Sequence, residues 1–215
     1  MQDTLSNQDR GQLDELVSEA EKLTKAQIVL ALTNRSDAYR ELPWIAFALG
    51  ASIAGLLLFI FNRPFLNWYP QVTVLMIVAI TLGCGVTFAL LAVLVPGFAK
   101  RFLSTHRIEV EVQQYAESLF LARELFDTSN RTGILLLVSL FERKVVILPD
   151  KGLANQLTEH AIQNVIATMI PFLKRNNVYQ AFKTGLGRLT QVLGTVAHGS
   201  DENELPDEII EESGV

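Results

Sequence analysis

Thr132-Gly133-Ile134-Leu135-Leu136-Leu137-Val138-Ser139-Leu140, then Phe141-Glu142-Arg143, then Lys144-Val145-Val146-Ile147-Leu148, is the stretch on which the fold turns. The first run is continuously apolar and bounded by polar residues, which suits a central strand covered on both faces. The polar turn after it and the second, β-branched run predict an antiparallel hairpin. Pro149-Asp150-Lys151-Gly152 ends the second strand. Upstream, Ile108, Val112, Tyr115 with Ala116, and Leu119 with Phe120 recur at helical spacing, and the polar cluster Asp127-Thr128-Ser129-Asn130 stops that helix. Downstream come two amphipathic helices, one carrying Ala161, Ile162, Val165, Ile166 and Met169, the other Ala181, Phe182, Leu186, Leu189, Val192 and Leu193.

The N-terminal segment supplies one more helix and strand. Ser6-Asn7-Gln8-Asp9 reads as a capping box, followed by the helical stripe Leu13, Leu16, Val17, Ala20, Leu23. Gln27-Ile28-Val29-Leu30-Ala31-Leu32-Thr33 is a short strand closed by the turn formers Asn34 to Asp37. The fold class is therefore α/β, a small mixed sheet flanked by helices, and it is interrupted between its first strand and its next helix.

The interruption is a candidate membrane hairpin. Residues 44–61 hold eighteen positions without a charge and residues 64–99 another thirty-six. About 20 residues cross the hydrocarbon core, so each stretch is long enough. Pro43 and Pro96 bracket the pair, and Trp44, Trp68 and Tyr69, with Lys100 and Arg101, are the expected interface residues. Lys25, Arg35 and Arg40 precede the hairpin, Lys100, Arg101 and Arg107 follow it, and the connector has only Arg63, which predicts a two-helix, multi-pass protein with both termini cytoplasmic. Nothing before residue 43 resembles a signal peptide, so the hairpin itself is expected to be the insertion signal. Small residues four apart, Ala46, Gly50, Ala54 and Ala79, Gly83, Thr87, predict close packing of the two helices, or a homo-oligomer through the same faces. No ionisable side chain lies in either span, so an anchor is expected and an ion or proton pathway is not.

Composition agrees. The chain has 215 residues, 49% hydrophobic and 19% charged, with mean hydropathy +0.27, which excludes a disordered or fibrous protein. A single cysteine, Cys84, excludes an internal disulfide framework. A net charge of −5 argues against nucleic acid as a partner. The parts expected are residues 1–40 and 105–198 as two halves of one domain, 43–99 as the hairpin, and 199–215, with seven acidic residues, as a disordered tail.

The segment from about Val110 to Leu193 resembles the second half of the TPM domain, also known as the YgcG family. The resemblance rests on the apolar strand opened by Asn130-Arg131-Thr132-Gly133, on Arg143-Lys144-Val145-Val146-Ile147, and on the loop Asp150-Lys151-Gly152-Leu153. Leu5 to Thr33 is similar to that domain's opening helix and strand. It implies an α/β/α sandwich with a Rossmann-like sheet, in a family whose members include a plant thylakoid-lumen protein linked to photosystem repair, with calcium binding and weak acid phosphatase activity. Animal members are receptor accessories, and many bacterial members are membrane proteins, so a bacterial inner membrane is the expected location. Two departures weigh against calcium ligation and phosphatase chemistry here: Arg131-Thr132 stands where many members have an acidic residue and Asn, and Pro149-Asp150-Lys151-Gly152 replaces a Gly-aromatic-Gly loop.

A site is expected at strand ends, with Asn130, Arg131, Thr132, Gly133, Lys151 and Gly152 as binding-loop residues converging beside Asn34 and Asp37. Asp127, Asp150 and Asp37 are the carboxylates available for a weak calcium or magnesium site, against the ordinary role of aspartate in turns. No catalytic residue is assigned: His106, His160 and His198 have no nucleophile in a recognisable elbow, and Gly185-Leu186-Gly187 lacks the strand and third glycine of a dinucleotide fingerprint. The expected function is a membrane-anchored accessory protein, without a cofactor, that presents its domain to a membrane or envelope partner. The alternative is a weak metal-dependent phosphatase using the Asp127 and Asp150 loops.

Overall fold

A computed structural model describes residues 5–61, 70–194 and 209–212. The chain divides into two compact units, Met1–Asp37 with Glu109–Val215, and Ala38–Ile108.

The first unit is α/β. Helix α1 (Asn7–Thr24) starts at a full capping box: the Ser6 hydroxyl accepts from the Asp9 amide at 3.1 Å, and Asp9 accepts from the Ser6 amide at 3.0 Å. It ends at Lys25, in the left-handed region at φ 60°, and strand β1 (Gln27–Thr33) follows. Helix α5 (Thr105–Ala122) precedes β2 (Gly133–Ser139) and β3 (Lys144–Pro149), then α6 (Glu159–Leu173), α7 (Val178–Leu193) and a short β4 (Ile210–Glu212). The sheet order is β3-β2-β1-β4, with β1 parallel to β2 and β4 and β2 antiparallel to β3.

Alternation along the strands sorts the core into two layers. Ile28, Leu30, Leu32, Ile134, Leu136, Val138, Val145 and Ile147 pack with Leu13 and Val17 of α1, Val165 and Met169 of α6, and Phe182 and Leu186 of α7. Their neighbours Val29, Ala31, Leu135 and Leu137 are equally buried on the other face, the side of α5 with its buried Val112, Ala116 and Leu119. Each fully buried Leu, Ile or Phe contributes about 1.5–3 kcal/mol, so these two layers hold the unit together. Gly185 explains why α7 needs a glycine there: a Cβ would sit 2.5 Å from the Met169 sulfur, so the residue sets the close approach of α6 and α7.

Strand β4 corrects one expectation. Residues 210–212 fall in the stretch expected to be disordered, yet Ile210, Glu211 and Glu212 pair with Ala31, Leu32 and Thr33. The physical reasons are an apolar Ile209 that is buried, an open edge on β1, and Arg10, whose guanidinium grips Glu211 at 2.6 and 3.3 Å. The rest of that tail and His198 lie outside the described residues.

The second unit holds α2 (Leu42–Phe61) and α3 (Pro70–Leu94), followed by the short α4 (Pro96–Ala99) and a single 3-10 turn, Lys100–Phe102. Both long helices are long and apolar enough to cross a membrane, and only 17% and 6% of their most apolar windows are buried, unlike the core helices of a soluble protein. The small-residue reading holds for α2 and fails for α3. Ala46, Gly50 and Ala54 form the buried face of α2, where a Cβ on Gly50 would meet the Phe88 ring at 2.7 Å. On α3 it is Gly85, under the Phe47 ring, and Ala92 that are buried, while Ala79, Gly83 and Thr87 face outward. Thr87 tolerates that position because its hydroxyl donates to the Gly83 carbonyl at 2.8 Å. Trp44 is exposed, and Arg107 pairs with Glu41 at 2.9 Å. Trp68, Tyr69 and the connector around Arg63 lie outside the described residues.

Candidate functional site

Two loops expected to converge do so. The Asp150 amide donates to the Gly133 carbonyl at 2.8 Å and the Gly152 amide to the Arg131 carbonyl at 2.9 Å, so the turn after β3 closes backbone to backbone on the turn before β2. Close backbone approaches demand both glycines, Gly152 where the two turns meet and Gly133 where the segment after α5 passes the start of β2. A Cβ on Gly133 would lie 2.1 Å from the Leu125 carbonyl oxygen, and one on Gly152 would lie 2.4 and 2.5 Å from the carbonyl oxygens of Asn130 and Arg131. Thr132 is buried, and its amide donates to the Thr128 hydroxyl at 2.9 Å. Arg131 itself takes a positive φ of 57°, a conformation costing a non-glycine residue about 1–2 kcal/mol, which the hydrogen bonds of the two turns hold in place.

The electrostatics centre on Asp150, only 7% exposed. One carboxylate oxygen accepts from the Lys151 amide at 2.7 Å, capping the 3-10 turn Lys151–Leu153. The other oxygen has no hydrogen-bond partner and faces the Arg131 guanidinium at 3.6 Å. Arg131 is anchored by donating to the Phe126 carbonyl at 2.8 Å and by lying over the Phe126 ring. A buried carboxylate is thus balanced by a half-exposed guanidinium from the facing loop.

The remaining carboxylates are not brought to it. Asp127 is exposed in the turn after α5, with its amide bonded to the Glu124 carbonyl. Asp37 lies at the opposite end of the sheet, which corrects the expected convergence. Because β1 runs parallel to β2, with Gln27 opposite Gly133 and Thr33 opposite Ser139, the loop before β2 sits at the start of β1 and Asp37 follows its end. Seven residues of strand separate them, about 20 Å. Among the described residues no group of three or more His, Cys, Asp or Glu could hold a metal ion. One buried carboxylate already facing a guanidinium does not fit a divalent cation, which wants several oxygen donors. Asn130 and Lys151 are exposed at the loop rim, and His160 contacts Asn164 on the exposed face of α6.

A second polar cluster escaped the sequence reading. At the far end of β1 and β2, the Ser139 hydroxyl donates to Glu142, the Ser36 amide donates to the other Glu142 oxygen at 3.0 Å, and the Ser36 hydroxyl bonds Ser139 at 3.2 Å. All three residues are buried. The Leu140 and Phe141 amides donate to the carbonyls of Thr33 and Asn34, and Arg35 stacks over the Phe141 ring. The only signal was a glutamate inside a tight strand turn, where a solvated charge is the ordinary reading. Its carboxylate accepts what it is offered and leaves no oxygen directed at an open space, so the cluster joins two turns.

Comparison with known proteins places this architecture. The TPM domain model matches residues 97–192. The NMR structure of BA42 protein from the psychrophilic bacterium Bizionia argentinensis sp. nov. is similar with a TM-score of 0.58 at 14% identity, covering 99% of this chain and 98% of that one. No curated protein matches. From α4 to the end of α7, then, the chain is similar to the TPM domain, and its fold is one shared with BA42.

Proposed function

We propose that the chain is a membrane-anchored accessory protein: α2 and α3 cross the bilayer as a hairpin, both termini are cytoplasmic, and the TPM-like α/β unit is offered to a membrane or envelope protein. The observation that carries this reading is the unburied apolar surface of α2 and α3, including Leu56, Phe59, Leu75 and Leu94, each at least 60% exposed. Two helices of this length are stable in water only if covered, and a bilayer covers them without a protein partner. Lys100 and Arg101 beside the end of α3 suit anionic headgroups, worth about 1 kcal/mol each. The strand-end loops support interaction better than hydrolysis, because they close on each other through backbone hydrogen bonds and set Asp150 against Arg131.

The test uses tagged full-length protein in native membranes. Alkaline carbonate extraction leaves it in the pellet, a reporter active only outside the cytoplasm is silent when fused after Val215, and mild crosslinking captures a stoichiometric membrane partner. Extraction into the supernatant, an active reporter, or phosphate-ester hydrolysis abolished in a folded variant carrying Asp127→Ala and Asp150→Ala would overturn it.

A further inference from the structure

Strand β3 is an outer strand of the sheet, and among the described residues no strand pairs with its far side. The register fixes which groups face outward. Asp150 bonds Gly133, so Leu148, Val146 and Lys144 turn their backbone groups toward β2, and those of Val145, Ile147 and Pro149 point away from it. Proline occupies the outward position where a missing N–H costs the sheet nothing. Outward amides remain at Val145 and Ile147, and outward carbonyls at all three.

This edge is the floor of a groove of about 560 Å³ between α5 and α6. Ile162, Ile166, Ile170 and Leu173 line its α6 side, and Ile170 is 41% exposed. The rim carries Arg143, Lys144 and Lys174, opposed by one acidic residue, Glu109, which pairs with Lys144 at 2.8 Å. Among the described residues no carboxylate pairs with Arg143 or Lys174. In a chain of net charge −5, a cationic rim above an aliphatic floor is a local reversal of sign. The other edge of the sheet displays what such an edge accepts: β4 adds there with a buried isoleucine before it and a glutamate held by an arginine.

The geometry points to β3 as the docking edge for an extended segment of the membrane partner, one whose α6-facing positions are aliphatic and end in a carboxylate. It rests on the accessory reading above and names the class of partner surface. The segment adds as a fifth strand, bonding the Val145 and Ile147 amides. It sets aliphatic side chains against Ile162, Ile166 and Ile170 and, at the end of the same face, a carboxylate against Arg143 and Lys174. Backbone pairing supplies affinity, and the rim charges select acidic over basic segments.

The experiment uses the full chain in nanodiscs and a blocked nine-residue peptide with Val or Ile at positions 3, 5 and 7, Glu at positions 1 and 9 of the same face and Thr between, with a version carrying Lys for Glu as control. Saturable binding is expected, with hydrogen exchange at the Val145 and Ile147 amides slowed tenfold or more. Ile170→Asp and Lys174→Glu, both at exposed positions, each weaken binding tenfold or more with an unchanged near-UV spectrum, and Arg143→Glu with Lys174→Glu transfers preference to the Lys peptide. Absence of binding, equal binding of both peptides, or protection that grows with protein concentration without peptide, the mark of a second copy on this edge, would overturn the inference. If crosslinking still captures a partner that ignores Ile170→Asp and Lys174→Glu, this inference fails and the accessory reading stands. If no partner is captured while the peptide binds as described, the accessory reading fails and with it the assignment of the segment to a membrane protein, while β3 stands as a docking edge.

Discussion

Each end of the sheet has a loop that buries a carboxylate, and the two loops treat it in opposite ways. At the Gly133 end, Asp150 is left with one oxygen unbonded and balanced across 3.6 Å by a guanidinium that solvent reaches. At the Ser139 end, Glu142 takes hydrogen bonds from a hydroxyl and an amide and is sealed. The first arrangement is the more adjustable, because its pair is longer than a hydrogen bond and the guanidinium is half-exposed. The second is a fixed joint between the turn after β1 and the turn after β2. Convergent polar residues are therefore poor evidence of a site until the bonds each oxygen makes are counted.

Substitutions break that comparison at different strengths. The largest effect belongs to Gly133→Ala, whose methyl meets the Leu125 carbonyl oxygen at 2.1 Å, so the segment after α5 must move off the start of β2; urea unfolding of the chain in detergent should show a loss of about 3 kcal/mol. Next is Glu142→Ala, which strands the buried Ser139 hydroxyl and Ser36 amide and should cost about 2 kcal/mol in the same assay, with Glu142→Gln recovering part of it. Arg131→Ala leaves Asp150 without its counter-charge and should cost about 1 kcal/mol, less than the loss at the sealed end. If the two carboxylates prove equally costly to expose, the contrast between an adjustable and a fixed end fails. The smallest effect, about 0.5 kcal/mol, is expected for Arg10→Ala, a partly exposed pair, read as faster hydrogen exchange in β4. EDTA or millimolar calcium should leave the melting temperature of the wild-type chain unchanged, since the donors around Asp150 do not form a cation site.

Much of the fold is legible in local pattern. The strand at Gln27–Thr33, the hairpin of β2 and β3, the capping box at Ser6 and the two C-terminal helices all follow from periodicity and turn chemistry, which act over a few residues. What stayed hidden is non-local. β4 is three residues in an acidic stretch, and the open edge of β1 and Arg10, some two hundred residues away, help make it a strand. The joint of Ser36, Ser139 and Glu142 brings together side chains with about a hundred residues between them. The placement of Asp37 depended on strand direction: both loops were identified, but a parallel pair puts the residues before one strand and after the other at opposite ends. The outward face of Ala79, Gly83 and Thr87 was illegible for a similar reason, since spacing names a stripe without naming which stripe the neighbouring helix chooses.

The parallel pairing of β1 with β2 also sets a timetable. Gln27 and Gly133 are separated by about a hundred residues, and the hairpin lies between them. At about 5–20 residues per second, the ribosome completes α1 and β1 roughly 5–20 s before β2 exists to receive them. During that interval β1 is a short aliphatic strand with neither neighbour, although the Glu21 carboxylate, already made, accepts the Ile28 amide at 2.6 Å. A newborn chain therefore has to keep its first strand from pairing with other chains until the second half has been made, so chaperone demand should fall on the nascent N-terminus and rise with any change that slows elongation through the hairpin.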